Sequence, residues 1–394
     1  MKTLSLATAL MACLSSSVLA QKAYDPGASD AEIKIGMTAP LSGPVSGYGV
    51  SCGTFEAFFK MTNEKGGVNG RKINFTCEDD AYSPPKTVEK TRKLVESDDV
   101  LFMFASIGAG ANAAVQKYLN QKAVPQIFIN SGASRFNNPK EFPYSMPAVP
   151  NYHTEAKLFA DHIRKNSPNA KVALFFQNDD FGKDYLNGLK DGWGDDTSKF
   201  LLATEPFEVS EPTIDSHIVK LKATGADVVV LAAVGKQATQ TIRKIAELNW
   251  KTTIYITWGA ANIPLVFEPA GLQNSVGIIS TAIYKDIGDP GTAKDPDTIA
   301  YMGFMEKYAP SMNAAHTTNA QAYVMANVLL DVLSRAGDNL TRSNIMKMVG
   351  SIDIAPPLFR PGLRFKTAPD DYDGIKTFKM MRFDGKGWVE ATGL

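Results

Sequence analysis

The sequence predicts an α/β protein built from two doubly wound sheets, and three observations predict it. Short runs in which nearly every residue is apolar alternate with amphipathic stretches of helical length, the pattern of parallel strands buried on both faces. The alternation breaks at a Pro-rich passage, Asn138 to Pro150, and restarts at Asn151. A chain of 394 residues is also too long for one core and favours two domains.

The segment from Val100 to Ser134 shows the unit most clearly: an apolar run, a Gly/Ala-rich helix opening, an amphipathic helix, a second apolar run and a Ser-Gly-Ala-Ser turn. This is a βαβ unit, and open α/β sheets bind ligands at the edge where such strands end. Ser106-Ile107-Gly108-Ala109-Gly110 opens the helix there, where free N–H groups and the helix dipole welcome an anion. Ser131-Gly132-Ala133-Ser134 ends the next strand beside it and adds two hydroxyls. Together they form a candidate carboxylate cradle. The competing reading is that these small residues only let helix and strand approach closely. A dinucleotide reading of Gly108 to Ala113 as G-x-G-x-x-A lacks the acid expected about 20 residues on, where Phe128-Ile129-Asn130 stands, and uses the third strand instead of the first.

The remaining elements follow in order. Lys2, an apolar run from Leu4 to Ala12 and the Val18-Leu19-Ala20 boundary read as a secretory signal over residues 1–20, removed near Ala20. Leu10-Met11-Ala12-Cys13 resembles a lipoprotein box, with Met out of pattern, and leaves lipidation of Cys13 open. Strand one, Glu32 to Met37, enters the Pro40-Leu41-Ser42-Gly43-Pro44 loop; helix one runs from about Gly47 to Lys65, and strand two from Arg71 to Asp79. Ser83 caps a helix with Pro84 and Pro85 in its opening turn. Export leaves Cys52 and Cys77 as the only mature cysteines in an oxidising compartment. Helix one's first turn and the end of strand two meet at one edge of a βαβ unit, so a Cys52–Cys77 disulfide is expected.

The Pro-rich passage reads as a crossover and not as an element. After it come a helix from Asn151 to Lys165, a strand from Lys171, a helix from Lys183, and strands at Phe200, Ala226 and Thr252 separated by helices from Thr213 and Gln237. Gly277 to Tyr284 is a further strand; helices over Asp295 to Tyr308 and Thr318 to Ala336 follow, and an antiparallel hairpin turns at Asp384-Gly385.

Composition excludes several function classes. Forty-one basic and 41 acidic residues balance with no basic stripe, so no nucleic-acid partner is expected. The four histidines, His153, His162, His217 and His316, lack metal spacing, and no G-x-S-x-G, H-E-x-x-H or P-loop motif occurs. No cofactor, metal or catalytic residue is expected. Asp79-Asp80 and Asp179-Asp180 read as helix caps or solvated turns.

Taken in order and spacing, Ile33-Lys34-Ile35-Gly36, Pro40 to Pro44, Asn63-Glu64-Lys65-Gly66-Gly67-Val68-Asn69-Gly70-Arg71, Glu78-Asp79-Asp80-Ala81, Phe181-Gly182 and Gly225-Ala226-Asp227-Val228-Val229 resemble the type I periplasmic solute-binding proteins of the branched-chain amino acid transporter group. The resemblance covers nearly all of the mature chain. It implies two β/α lobes joined by three hinge crossings, with lobe one at 31–147 plus 284–354 and lobe two at 148–283 plus 355–394. It implies ligand contacts at Gly108-Ala109 and Gly132-Ala133-Ser134, an aromatic cover at Tyr48 beside Ser42 in the first loop, and Phe181, Val234-Gly235 and Trp258 lining from lobe two. Two departures stand out: Gly108 replaces the usual serine, and no acid stands among Trp258, Gly259 and Ala260 to meet an α-ammonium.

A buried ammonium without a carboxylate is costly, so a carboxylate lacking an amine, with an aromatic or apolar body, is the ligand expected. A hydrophobic amino acid is the alternative. The implied protein is a periplasmic monomer that hands its ligand to the membrane permease of an ABC importer. A sensor feeding a membrane receptor is the alternative of another class.

Overall fold

The computed structural model describes residues 22–391, so the expected export signal, with Cys13 and Ala20, lies outside the described residues. In the first lobe β1 (Glu32–Ala39), α1 (Val50–Glu64), β2 (Lys72–Asp79), α2 (Pro84–Glu96), β3 (Phe102–Phe104), α3 (Ala109–Gln121), β4 (Gln126–Ile129) and β5 (Ser145–Pro147) alternate. Their strands form one parallel sheet in the order β2-β1-β3-β4-β5. β3 and β4 are buried at every residue, which explains why they are apolar but for Gln126, whose amide donates to Asn112. The Pro-rich passage corrects one expectation: Ser145–Pro147 is an edge strand on β4, a place where proline is tolerated. Ser83 stands at the N-cap of α2, yet its side chain makes no capping bond. The expected disulfide is present, joining Cys52 in α1 to Cys77 in β2 with Cα atoms 6.1 Å apart.

The second lobe holds α4 (Tyr152–Asn166), β6 (Val172–Gln177), α5 (Asp180–Trp193), β7 (Leu201–Phe207), α6 (Asp215–Ala223), β8 (Val228–Ala232), α7 (Gly235–Glu247), β9 (Thr253–Ile256) and β10 (Ile279–Ala282). Alternate residues of β6 divide between two cores: Val172, Leu174 and Phe176 pack under α4 and α5, while Ala173 and Phe175 face the opposite layer. α5 begins three residues before the expected Lys183, because the Asp179 carboxylate accepts from the backbone N–H groups of Phe181 and Gly182.

The chain then returns to the first lobe with α8 (Pro296–Tyr308), α9 (Thr317–Ala336) and α10 (Arg342–Val349), of which α10 was not expected. It ends on β11 (Lys379–Phe383) and β12 (Trp388–Glu390), which extend the second sheet to the order β12-β11-β10-β9-β8-β6-β7. Among the described residues its antiparallel pairings are β10 with β11 and β11 with β12. The large aromatics of α1, Phe55 and Phe58, meet Phe104, Phe304 and Tyr323, so α8 and α9 complete the first core.

Residues after 354 differ from the expected boundary. Leu358, Phe359, Leu363, Phe365, Tyr372 and Ile375 are buried in the same cluster as Ile35 and Phe104, and Asp353–Ile354 pairs with Phe365–Lys366. On this packing we place the third crossing at 376–378; the Pro356-Pro357 and Pro361-Gly362 turns fold the chain back onto lobe one. The residue after the second crossing is fastened to these turns at Asp297, whose carboxylate accepts from Lys285 Nζ at 2.7 Å and from the Leu358 backbone N–H at 2.8 Å.

Candidate functional site

A cavity of about 60 Å³ lies between the lobes. Val45, Tyr48, Tyr82, Ile107, Gly108 and Asn130 line it from the loops of the first sheet, joined by Thr317, Thr318 and Gln321 at the start of α9. Tyr152, Val234, Trp258, Gly259 and Asn262 close it from the second lobe. The lobes are shut on it. The Tyr48 hydroxyl donates to the Gly259 carbonyl at 2.9 Å and accepts from the Gly235 N–H at 3.3 Å. Gln321 Nε2 donates to Asn130 Oδ1 at 3.1 Å, and the Asn262 amide meets His316 Nδ1 at 3.2 Å.

Among the described residues no carboxylate, lysine, arginine or histidine lines this cavity. His316 stands just behind it, and burial pushes its imidazole down to about 4, which keeps it neutral. Four helices begin at the wall: α3 directly after Gly108, α4 at Tyr152, α7 directly after Val234, and α9 at Thr317. The helix dipoles give an uncharged cavity at which four helices start a positive potential, although several first-turn N–H groups are already paired within the protein. Such a site favours an anion over a cation.

Two buried acids stand behind the aromatic walls. Glu155, fully buried on α4, accepts from the Trp258 backbone N–H at 3.0 Å, from Thr281 Oγ1 at 2.5 Å and from the Tyr185 hydroxyl. Burial pushes its carboxyl up to about 7. Asp179, bonded by Gln177 Nε2 at 2.6 Å, is raised by burial to about 6. Trp258 also forms a wall of a second cavity of about 60 Å³, toward the hinge, where Thr281, Tyr284 and Trp388 stand opposite.

Of the residues expected from sequence, Tyr48, Ile107, Gly108, Val234 and Trp258 are on the cavity wall. Nine stand elsewhere. The Ser42 hydroxyl is exposed and donates to Asp79 Oδ2 at 2.6 Å. Ser106 Oγ accepts from the Thr38 N–H inside the first lobe, and Ala109 is buried under the second-lobe core. Gly132 lies against the Pro150 carbonyl, where an added Cβ would come within 1.9 Å, so the turn is sealed by the crossing. Ser131 is fully buried and Ala133 packs beside Phe136. The Ser134 N–H donates to Asp184 Oδ2 at 2.7 Å, across the lobes. Phe181 is buried against Tyr152, with ring centroids 4.7 Å apart, and Gly235 bonds Tyr48.

Sequence reading missed Tyr82, Asn130, Tyr152 and the start of α9. Tyr82 follows Ala81, and both have left-handed backbone, φ +58° and +50°. That conformation carries the ring into the gap left by Gly108: a Cβ there would lie 2.6 Å from Tyr82 Cε2. Tyr152 carried a usable signal, being the first helical residue after the crossing, behind an Asn151 cap that accepts from the Thr154 N–H.

Comparison with known proteins agrees with this architecture. A family model described as "Periplasmic binding protein" matches residues 32–387. The Leu/Ile/Val-binding protein homolog 3 of Brucella melitensis is 25% identical over 315 residues, covering 79% of this chain and 81% of its own. The structure of a branched chain amino acid ABC transporter from Thermus thermophilus with bound valine superposes with a TM-score of 0.81, at 16% identity, over 92% of this chain and 96% of that one. An ABC transporter solute-binding protein from R. palustris in complex with benzoate gives 0.78, at 18% identity, over 91% and 95%. Among the described residues no helix is long and apolar enough to cross a membrane. The chain belongs to the periplasmic binding protein family and has the two-lobed type I fold.

Proposed function

We propose that the protein captures a small monocarboxylate with an aromatic or apolar body between its lobes and delivers it, as a monomer, to the permease of an ABC importer. One observation carries this reading: four helix N-termini meet at a cavity without any charged side chain. They favour the carboxylate, and the missing acid leaves an α-ammonium unpaired. Tyr48, Tyr82, Tyr152 and Trp258 supply the aromatic walls. The benzoate complex of the R. palustris structure supports the same ligand class.

A hydrophobic amino acid is the second reading, favoured by the Leu/Ile/Val-binding relative. It requires neutral acceptors such as the Gly259 carbonyl to hold the ammonium. A thermal-shift screen separates the two, because a ligand bound only by the native state raises the midpoint. Benzoate and cinnamate are expected to raise it and leucine to leave it unchanged. A shift with leucine alone would replace the first reading by the second.

A further inference from the structure

We propose that Glu155 is a proton-linked positioning residue: its carboxylate sets the Trp258 wall, and it takes up a proton when the site accepts an anion. The second half rests on the carboxylate reading above; the first does not.

The geometry begins with Trp258, which lines both cavities and whose backbone N–H is held by Glu155 Oε1 at 3.0 Å. The same oxygen accepts from Thr281 Oγ1 on β10, the strand that leads into the second crossing. One carboxylate therefore joins the ligand wall to the hinge. Its surroundings are Tyr185 from α5, Thr281 from β10, the Thr257-Trp258 turn and, on its own helix, Tyr152. Among the described residues no lysine, arginine or histidine bonds to it, so no cation offsets the loss of its hydration. Tyr152 stacks on Trp258, with centroids 6.4 Å and planes 19° apart, and passes any displacement on to the cavity.

An ionised Glu155 binds the Trp258 N–H through a charge-assisted bond, stronger than that of the neutral acid. A carboxylate arriving on the other side of Trp258 places a second negative charge near the first, across a wall of low polarity. Protonation of Glu155 relieves this repulsion. The new O–H then needs an acceptor, and the Tyr185 or Thr281 oxygen must turn from donor to acceptor. Anion capture is thus coupled to proton uptake and to a change at Trp258, and reciprocity makes the affinity depend on pH.

The test uses the full mature protein. In calorimetry with benzoate, in buffers of different ionisation enthalpy, the wild type should take up protons near neutrality. Its affinity should rise roughly fivefold between about pH 8.5 and 6. E155Q should show neither effect; a flat wild-type profile, or a slope that persists in E155Q, overturns the coupling. The ligand-free protein provides a separate reading of Glu155. Its tryptophan emission should change with a midpoint between about pH 6 and 8, and the change should vanish in E155Q and, should that variant not fold, in W258F. Emission that stays flat, or a change that survives in W258F, overturns the positioning role. If benzoate does not bind at any pH, the carboxylate reading and the proton uptake tied to it fall together, and the emission titration alone decides the role of Glu155.

Discussion

The Tyr82 ring fills the space that a side chain at Gly108 would need, 2.6 Å from the position of the missing Cβ. Gly108 also stands at φ +102°, which strains any residue with a side chain. A serine restored at this position should cost about 1–3 kcal/mol of stability. It should also push Tyr82 toward the ligand space. Chemical denaturation of G108S measures the first effect, and loss of benzoate-induced stabilisation measures the second. A variant as stable as the wild type would mean that the loop and Tyr82 relax freely.

The Tyr48 hydroxyl makes two of the bonds that hold the lobes together. Y48F removes the bond to the Gly259 carbonyl and the acceptor for the Gly235 N–H. Leaving both groups unpaired should cost ~1–2 kcal/mol of closure, a five- to thirtyfold loss of affinity. Small-angle scattering should show a less compact ensemble at subsaturating ligand, while the melting point of the ligand-free protein moves little.

The disulfide closes a sequence separation of 25 residues within one edge of the first lobe. Replacing both cysteines, C52A with C77A, should lower stability by about 3 kcal/mol through the greater freedom of the unfolded chain. Ligand affinity should stay constant, since neither residue is on the cavity wall. Denaturant titration beside calorimetry checks both halves.

Asp179 provides a pH prediction with a definite sign. Its folded value, about 6, is above the ordinary 3.8, so the folded state holds its proton longer than the unfolded state does. The associated stability is complete below about pH 4 and is lost as the pH rises through 6. D179N keeps a good N-cap and removes this loss. The stability difference between D179N and wild type should therefore be small near pH 4 and grow to roughly 2–3 kcal/mol at pH 7 in favour of D179N. A constant difference across that range would refute the buried ionisation.

Where the sequence was legible, one physical rule governed the segment. Residues 102–104 and 126–129 are buried on both faces, and a short, nearly all-apolar run between turn signals is what such a strand requires. Of the cavity wall, Ile107 and Gly108 followed from topology in the same way, whereas Val234 and Trp258 came from the family resemblance. What stayed hidden depends on contacts far apart in sequence. Gln321 meets Asn130 across 191 positions, and nothing local to either residue announces it. Ser131 and Ser134 carried the expected hydroxyls, yet neither lines the cavity: Ser131 is fully buried, and the Ser134 hydroxyl accepts from Asn151 Nδ2 at 3.2 Å. The edge strand Ser145–Pro147 escaped because its pairing with β4 is irregular and it carries the proline that argues against a strand.

The interleaving of the two lobes bears on how the chain is made. The core that holds Ile35 and Phe104 also holds Leu329, Leu333, Phe365 and Ile375, contributed by the last quarter of the polypeptide. The first sheet and α1 can assemble early in synthesis, but the face they share is only partly covered until nearly the whole chain has been made. The second lobe, by contrast, has all its parallel strands within residues 172–282. It is the natural first folder, and the amino-terminal half must wait. For a protein expected to be threaded across a membrane before it folds, that delay is an advantage, because a nascent first lobe without its cover cannot lock prematurely.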